Sequence, residues 1–371
     1  MKRFFCIILL CLTLLPNLYQ ETAIADSQTR IAFLGDFLPA GSADLIIARH
    51  GYGRLFDGVR PIISEVEAVI LNLETPLSTR GEAVEGKAYT FRGSPKTTEA
   101  MAREKVRAVW LANNHIMDFG PEALIDTITH LDSAGIAWAG AGRGAEEAYS
   151  PALLRLKDIN ILLLGYSNTF PESYWARRGR SGTAFGSPKA IRKWVNRGRQ
   201  DFGSPIVTSF HWGAELMTEP KDYQVDLAHL AIDSGASLVV GHHPHVAQPI
   251  EVYRGIPILY SLGNFSFGSY SKRSRVGLMA VARFDEDGRC SLLEVYPLLV
   301  DNYEVHFSPR PITGLEGQRI FDPLVKGIGR DQASALWDGK KGVIVPITPN
   351  GGGGEGGSGG NDSKPSDTVT R

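Results

Sequence analysis

The chain has 371 residues, which is long enough for one large domain or two ordinary ones. Its composition, with 43% hydrophobic and 21% charged residues, is that of a globular protein and excludes a wholly disordered chain. The formal net charge of −1 at pH 7 provides no overall basic field, so the charge predicts no nucleic-acid partner.

The first 25 residues have the pattern of a secretory signal peptide. Lys2 and Arg3 precede an apolar run at residues 4–15, and the small residues Ala23 and Ala25 follow it. The apolar run is too short to span a bilayer comfortably. We therefore predict cleavage after Ala25 and export to the periplasm, the cell surface or the medium. An uncleaved N-terminal membrane anchor is the alternative.

Cleavage after Ala25 would leave Cys290 as the last cysteine, so the mature chain has no intrachain disulfide. We predict that Cys290 is a small buried hydrophobic residue, and that any metal is bound by His, Asp, Glu or Asn side chains. At the other end, residues 347–371 are rich in glycine and are predicted to be a disordered tail. Residues 26–346 remain as one predicted folded domain.

Short apolar runs rich in β-branched residues recur along this domain and predict buried strands. The runs are residues 31–34, 68–71, 108–112, 159–165, 206–210, 238–241 and 258–262. Helix patterns lie between several of them, beginning at Pro121, at Pro188 and near Lys221. This alternation predicts an α/β fold, and a hairpin pattern at about 276–300 predicts that the sheet is mixed.

Nearly every unusual polar cluster begins where one of the predicted strands stops. The clusters are Gly35-Asp36, residues 72–74, residues 113–115 with Asp118 beyond them, residues 211–215, residues 242–245, and Gly263-Asn264. Ligands of α/β sheets bind outside the carboxyl ends of the strands, where the loops converge. We therefore predict that these clusters form one site at one sheet edge.

The residue types at the strand ends indicate a metal site. Five of the nine histidines of the chain lie in these clusters, and imidazole and carboxylate groups are the donors that divalent metals take from proteins. A bridging carboxylate would allow two ions to lie roughly 3.5–4 Å apart and activate a water molecule. We predict one or two divalent ions of Mn, Fe, Zn or Mg. A histidine beside an asparagine ligand, as His115 lies beside Asn114, is placed to protonate a leaving oxygen.

Each cluster also has an ordinary structural explanation. Asp36 has the position of a helix N-cap, the asparagines before His115 are typical of a turn, and His211 could be a satisfied core histidine. The pair His243 and His245 is the strongest signal, because two imidazoles flanking a rigid proline rarely serve packing. His242 is predicted to face away from the site, since alternate residues of an extended segment point to opposite sides.

Two groups of cations are candidates for binding an anionic substrate. Lys272 and Arg273 follow the Asn264 loop, and we predict that these three residues bind substrate. The segment Arg177–Arg180 could also hold an anion, although a solvated loop is the ordinary explanation of such a run.

Six segments together resemble the CapA family, also called PgsA-type or poly-γ-glutamate capsule proteins. They are GDFLPAGS from Gly35, NLETPLS from Asn72, ANNHIMDFG from Ala112, HWGAE from His211, GHHPHVAQPIE from Gly241 and YSLGNFSF from Tyr260. The family is similar in fold to calcineurin-like metallophosphoesterases. The resemblance thus implies an α/β, metallophosphoesterase-like sandwich of mixed β-sheets flanked by helices.

The more distant resemblance to the phosphoesterases implies a role for individual residues. It implies six metal ligands: Asp36, Glu74, Asn114, His211, His243 and His245. His115 resembles the proton donor, and His115 and Asp118 are the predicted catalytic residues. Two departures are present: Leu38 occupies the position of a first-motif histidine, and Glu74 stands where the phosphoesterases have a bridging aspartate.

The resemblance implies a role in the biosynthesis of a capsule or another surface polymer of the poly-γ-glutamate type. We predict a metal-dependent, phosphoesterase-like hydrolase that acts on an anionic surface polymer or a phosphorylated precursor, with capsule-assembly membrane proteins as further partners. A non-catalytic, polymer-binding component of an assembly or export complex is the main alternative. A structural surface protein is the third hypothesis, and it requires that the cluster residues be scattered in space.

Overall fold

The computed structural model describes residues 28–347, in which 18 strands and nine α-helices alternate. The predicted signal peptide at 1–25 lies outside the described residues, as does the predicted tail beyond residue 347. The strands are β1 (Thr29–Leu38), β2 (Ala68–Leu73), β3 (Val106–Trp110), β4 (Ala137–Ala139), β5 (Ala141–Gly142), β6 (Ala152–Arg155), β7 (Asn160–Ser167), β8 (Gly182–Thr183), β9 (Ile206–His211), β10 (Leu238–His242), β11 (Ile250–Tyr253), β12 (Ile256–Leu259), β13 (Asn264–Phe267), β14 (Val276–Phe284), β15 (Cys290–Leu299), β16 (Arg310–Pro311), β17 (Ala333–Trp337) and β18 (Gly342–Pro346). The helices are α1 (Asp44–His50), α2 (Arg60–Ile63), α3 (Thr97–Arg103), α4 (Gly120–Ser133), α5 (Ala145–Tyr149), α6 (Pro188–Phe202), α7 (Asp222–Asp233), α8 (Asn302–Val305) and α9 (Gly314–Leu324).

Two large mixed sheets and one small two-stranded sheet are formed. The first large sheet has the order β17-β18-β15-β14-β1-β2-β3-β4, with β13 beside β1 and β16 beside β15. Its strands β1 to β4 are parallel, whereas β14 and β15 form the antiparallel hairpin that the sequence predicts. The second sheet has the order β11-β12-β10-β9-β7-β6, with four parallel central strands and an antiparallel strand at each edge.

The two large sheets pack face to face and are covered by helices on their outer faces. Phe33 and Ile70 of the first sheet belong to the same buried apolar cluster as Leu163 and Val240 of the second. Helices α1 to α4 pack on the outer face of the first sheet, and α5 to α7 pack on that of the second. Strands covered on both faces need apolar residues throughout, which is why they are nearly continuous apolar runs in the sequence. The predicted α/β sandwich of mixed sheets flanked by helices is confirmed.

Two predicted strands end earlier in the structure than in the sequence analysis. Strand β3 ends at Trp110 rather than at residue 112, because the chain turns towards the site at Asn113, whose N–H donates to the Leu111 carbonyl. Strand β12 ends at Leu259 rather than at residue 262. Leu262 donates to Gly241 of the second sheet and accepts from Leu278 of the first, so residues 260–263 cross between the sheets. Residues 260–262 are buried like those of a strand. Their sequence therefore continues the apolar pattern of β12, although the strand has already ended.

Helix α6 begins as the sequence predicts, because the Ser187 side chain accepts a hydrogen bond from the N–H of Ala190 at 3.2 Å. Helices α4 and α7 also cover the predicted segments. Among residues 28–347, no helix combines the length and apolarity that crossing a bilayer requires.

Candidate metal centre

The clusters that follow the strands meet at one place, but two sheets supply them. Asp36 and Glu74 come from the carboxyl ends of β1 and β2, and His211 and His243 follow from β9 and β10 of the second sheet. The predicted single sheet edge is therefore the junction of two edges. Gly35 permits this junction, because a Cβ atom there would lie 2.0 Å from the Gly263 carbonyl oxygen on the crossing segment.

Glu74 belongs to two groups of three side chains that could each hold a metal ion. One group is Asp36, Glu74 and His245, and the other is Glu74, His211 and His243. Within each group the donor atoms lie within 4.8 Å of one another. The Glu74 carboxylate is fully buried, and because it belongs to both groups it lies between their other donors. Five of the six predicted ligands are thus brought together.

The sixth predicted ligand, Asn114, lies beside the second group. Its Oδ1 atom is 2.8 Å from Nε2 of His211. His243 and His245 reach their groups from a strained backbone, with φ angles of +95° and +59° on either side of Pro244. Residues other than glycine seldom adopt positive φ angles, and such backbone strain is concentrated at functional sites.

Asn72 and Asn113 form a layer of amides beneath the candidate ligands. The Asn72 Nδ2 group donates to Asp36 Oδ1 at 2.8 Å and to Glu74 Oε2 at 3.2 Å, so one amide orients both carboxylates. Asn113 in turn donates to Asn72 Oδ1 at 3.1 Å. Sequence reasoning assigned no role to the Asn72 side chain. The position of Asn72 in the same strand-end cluster as Glu74 could have indicated that it belongs to the site. Its role in orienting the carboxylates becomes clear only from its contacts across the sheet.

His242 does not face away from the site, so that prediction is wrong. Its Nδ1 atom lies 3.2 Å from Asp36 Oδ1, on a fully buried ring that packs against Trp110. The rule of alternation fails because Asp36 comes from the other sheet and lies between His242 and His245. His245 Nδ1 is 3.2 Å from the second oxygen of the same carboxylate.

His115 and Asp118 form a buried pair next to the candidate ligands. The Nδ1 atom of His115 lies 2.7 Å from Asp118 Oδ2, which also accepts from the Phe91 N–H at 2.9 Å. The Lys87 ammonium donates to the other Asp118 oxygen and to the Asn114 carbonyl. Lys87 lies in the long loop between β2 and α3, and nothing in its sequence context marked it as part of the site.

Two cavities open beside the candidate ligands, and Glu215 lines both. One of about 200 Å³ is lined by His115, His245, Asn264 and the rings of Tyr89, Phe91 and Phe267. The other, of about 470 Å³, is lined by Asn114, His243, Lys221 and the exposed ring of Phe170. Of the predicted substrate-binding residues, Asn264 lies in the first cavity, where its Oδ1 is 2.9 Å from His245 Nδ1. Lys272 and Arg273 are exposed beside it but do not line it.

Burial and mutual charge separate the protonation states of the candidate ligands. Burial alone would raise the pKa of Asp36, but hydrogen bonds from His242 and His245 outweigh it and hold this pKa well below the usual value. Burial, followed by repulsion from Asp36, raises the pKa of Glu74 well above the usual value. Burial, followed by repulsion from His245, lowers the pKa of His243 to about 3. Burial also lowers the pKa of His211 well below the usual value.

The unsatisfied atoms of the site match what a divalent metal requires. Among the described residues, Glu74 Oε1 and His243 Nδ1 are buried polar atoms without a hydrogen-bond partner. Leaving such atoms unpaired costs about 1–3 kcal/mol each, so a buried site normally supplies a partner. Neutral imidazoles and carboxylates are also the donor set of a divalent transition metal. The residues present therefore fit a metal site.

Comparison with known proteins shows that the chain is similar to bacterial capsule synthesis proteins. The sequence profile of the bacterial capsule synthesis protein PGA_cap matches residues 30–269. The capsule biosynthesis protein CapA of Bacillus anthracis is 27% identical over 322 residues, covering 85% of this chain and 76% of that protein. The PGA biosynthesis protein CapA of Bacillus subtilis is 27% identical over 304 residues, covering 81% and 79%.

A solved structure with lower similarity is the NAD nucleotidase of Haemophilus influenzae. It has a TM-score of 0.44 and 12% sequence identity, and the match covers 81% of this chain. The chain spans 63% of the length of that nucleotidase.

Proposed function

The chain belongs to the bacterial capsule synthesis protein family PGA_cap, and we propose that it is an exported, metal-dependent hydrolase of capsule or surface-polymer biosynthesis. Its substrate is an anionic surface polymer of the poly-γ-glutamate type or a phosphorylated precursor of one. The observation that carries this proposal is the buried Glu74 carboxylate, which is common to both groups of metal donors. Purely structural packing does not require a carboxylate between two sets of imidazoles.

The proposal assigns two adjoining metal positions. Asp36, Glu74 and His245 would hold one ion, and Glu74, His211, His243 and Asn114 would hold the other. When bound, such ions polarise an ester or amide oxygen and generate a nucleophilic water. The lowered pKa values of His211 and His243 keep both rings neutral at pH 7, which is the form that binds metal.

His115 is assigned to proton transfer. Asp118 accepts from the Nδ1–H group, which fixes the tautomer and leaves Nε2 for a ligand in the cavity that His115 lines. Burial lowers the pKa of His115, against the opposing effect of Asp118, so the ligand-free ring is neutral at pH 7. A bound anionic substrate raises the pKa of this ring, and the protonated ring then donates from Nε2 to the leaving group, which is an oxygen in a phosphoester and the nitrogen in a γ-glutamyl amide.

A test of the metal site is the metal content of variants measured by elemental analysis. Wild-type protein is expected to bind up to two divalent ions, and His243→Ala or His245→Ala each to lose one. Glu74→Ala is expected to lose both, because its carboxylate is shared. His50→Ala, an exposed histidine outside the site, is the control and should match wild type. A wild-type protein free of divalent metal, or a His243→Ala variant with unchanged content, would contradict the proposal.

A non-catalytic, polymer-binding component is the second candidate, and Leu38 favours it. The resemblance places a histidine ligand at this position, whereas here the Leu38 side chain is buried against Phe267. The first metal group therefore has one donor fewer than the phosphoesterase pattern. Measurements of turnover separate the two candidates. Hydrolysis of p-nitrophenyl phosphate diesters or of labelled poly-γ-glutamate by the wild type, abolished in His115→Ala, would favour the hydrolase. Metal binding without any turnover would favour the second.

A further inference from the structure

An aromatic row leads away from the candidate metal centre along the flank of the second sheet. We define the aromatic row as five side chains: Phe170, Trp175, Phe185, Tyr149 and Trp194. It begins at Phe170, which lines the cavity beside Asn114 and His243 and is 73% exposed. The ring centroid of Phe170 lies 6.3 Å from that of Trp175, which stacks on Phe185 at 4.0 Å.

The second half of the row connects this stack to helix α6. The Tyr149 hydroxyl donates to the Phe185 carbonyl at 3.0 Å and accepts from the Phe185 N–H at 3.1 Å. The Tyr149 ring is stacked on Trp194 at 6.2 Å with an interplanar angle of 5°. Here the row reaches a groove of about 520 Å³ between α5 and α6. The row is therefore continuous from the metal cavity to this groove.

Cations border the row along its length. Three of them are in the turn Arg177–Arg180. Within this turn the Arg180 guanidinium donates to the Trp175 carbonyl at 3.0 Å. The Arg177 carbonyl accepts from the Ala145 N–H at the start of α5. Lys189, Lys193 and Arg197 line the groove. All six cations are exposed. We name these six residues the basic border: Arg177, Arg178, Arg180, Lys189, Lys193 and Arg197.

The acidic side chains near the basic border are fewer than its six cations. Glu146 lines the groove, and Asp201 pairs with Arg197 at 3.1 Å. Glu172 is exposed in the turn before Trp175, and Glu215 lines the cavity at Phe170. Within residues 28–347, no ion pair engages Arg177, Arg178 or Lys189. In a chain with a net charge of −1, this local excess of cations forms a positive field on one flank.

We propose that the aromatic row and the basic border form a binding track for a linear polycarboxylate, which holds the polymer beside the metal centre. The cations meet successive carboxylates, and the methylene groups between the amides of the polymer lie over the exposed ring of Phe170 and the half-buried rings of Trp175 and Phe185. Many weak contacts along one chain add up to useful affinity, because each bound segment raises the local concentration of the next. This track rests on the proposed function for its choice of polymer, but binding to it requires no metal.

The test is the binding of fluorescein-labelled poly-γ-glutamate to full-length, metal-free protein, measured by fluorescence anisotropy at low salt. The variant Arg177→Glu/Arg178→Glu/Lys189→Glu should bind at least about tenfold more weakly than wild type. The matched control Arg49→Glu/Lys96→Glu/Lys326→Glu changes the net charge equally at exposed sites elsewhere and should stay within about twofold. The triple glutamine variant at the first three positions should show a smaller loss in the same direction.

Two outcomes would overturn the track. They are an equal loss in both charge-reversed variants, and undiminished binding by the first variant. Phe170→Ala should weaken binding without changing its salt dependence, because it removes an apolar contact and no charge. Vesicles of phosphatidylglycerol serve as the competing anionic surface. If the first variant loses vesicle binding but keeps polymer binding, the flank binds membrane and the polymer track is wrong.

The binding assay also separates this inference from the proposed hydrolase. Because metal-free protein is used, a failure to bind metal or to hydrolyse substrate leaves the expected anisotropy result unchanged. Conversely, a metal-loaded, active enzyme whose polymer binding is insensitive to the basic border would overturn only the track.

Discussion

The Nδ1 atom of His115 lies 2.7 Å from Oδ2 of Asp118, three residues further along the chain. This buried pair is the point to which the long loop between β2 and α3 is attached, because Lys87 and the Phe91 N–H both donate to the same carboxylate. One carboxylate thereby orients the candidate proton donor and anchors the loop that covers it.

Replacing Asp118 with Asn is expected to lower kcat about 100-fold or more, because the amide no longer fixes the tautomer of His115 or stabilises its protonated form. KM and metal content should change little. Steady-state kinetics with elemental analysis checks this. Asp132→Asn is the control, since Asp132 accepts from Trp138 Nε1 at 2.8 Å away from the site. A kcat within threefold of wild type would show that Asp118 does not act on His115.

Replacing Lys87 with Ala is expected to lower the free energy of unfolding by about 3 kcal/mol, because the buried Asp118 carboxylate loses its ammonium partner. Denaturant unfolding measures this loss. Hydrolysis should fall as well. The control Lys105→Ala removes a lysine that donates to the Ser64 and Val66 carbonyls, so it should lose stability without losing activity. Equal activity losses in both variants would indicate a general effect on folding.

The stability of the metal-free protein is expected to fall as the pH is lowered from about 6.5 towards 3. The pKa of His243 is about 3 in the folded protein, because burial and then His245 disfavour its charged form. In this window the unfolded chain binds a proton that the folded chain does not, so acid favours unfolding by about 1.4 kcal/mol per pH unit for this group. The lowered pKa of His211 adds to the effect, whereas the raised pKa values of His245 and Glu74 oppose it.

The contribution of His243 is isolated by comparing wild type with His243→Gln in chelator-treated samples. Thermal or urea unfolding at several pH values should give a shallower pH dependence for the variant. Parallel curves for the two proteins would show that His243 is not held neutral by the fold.

Replacing Gly241 with Ala is expected to destabilise the protein by about 3 kcal/mol or more, because a Cβ atom there would lie 1.9 Å from the Tyr260 carbonyl oxygen. It would also lie 2.7 Å from Trp212 Nε1, which donates to that same oxygen. Gly327→Ala is the control, since no atom lies within 4 Å of its Cβ position, and a change within about 0.5 kcal/mol is expected. Urea unfolding of both variants decides the matter.

Cys290 is expected to resist alkylation in the folded protein. Burial raises the pKa of its thiol to about 12, so almost no thiolate is present at pH 8. Treatment with iodoacetamide followed by peptide mapping should show modification of Cys290 only after denaturation. Rapid labelling of the native protein at pH 8 would contradict the buried position.

Much of the fold followed from local patterns. Apolar runs of four to seven residues marked three strands of the first sheet and four of the second. Ser187-Pro188 marked the start of α6. Burial on two faces and helix capping both leave their signature in neighbouring residues, which is why these elements could be predicted. The donor residues were also visible, since polar residues directly after a buried strand are unusual. Asp36, Glu74, His211, His243 and His245 were all selected in this way, and the structure brings their side chains together. Their roles as ligands stay predictions.

The sequence by itself therefore determined the fold class, the family and the residue types of the site. Only the tertiary structure decided that two sheets share it, that Glu74 lies between both donor groups, and that His242 faces Asp36. Lys87 and the aromatic row likewise became visible only in three dimensions. The physical reason is that periodicity and capping are properties of adjacent residues. Contacts between distant segments instead depend on sheet pairing and on the path of loops, which no single segment encodes.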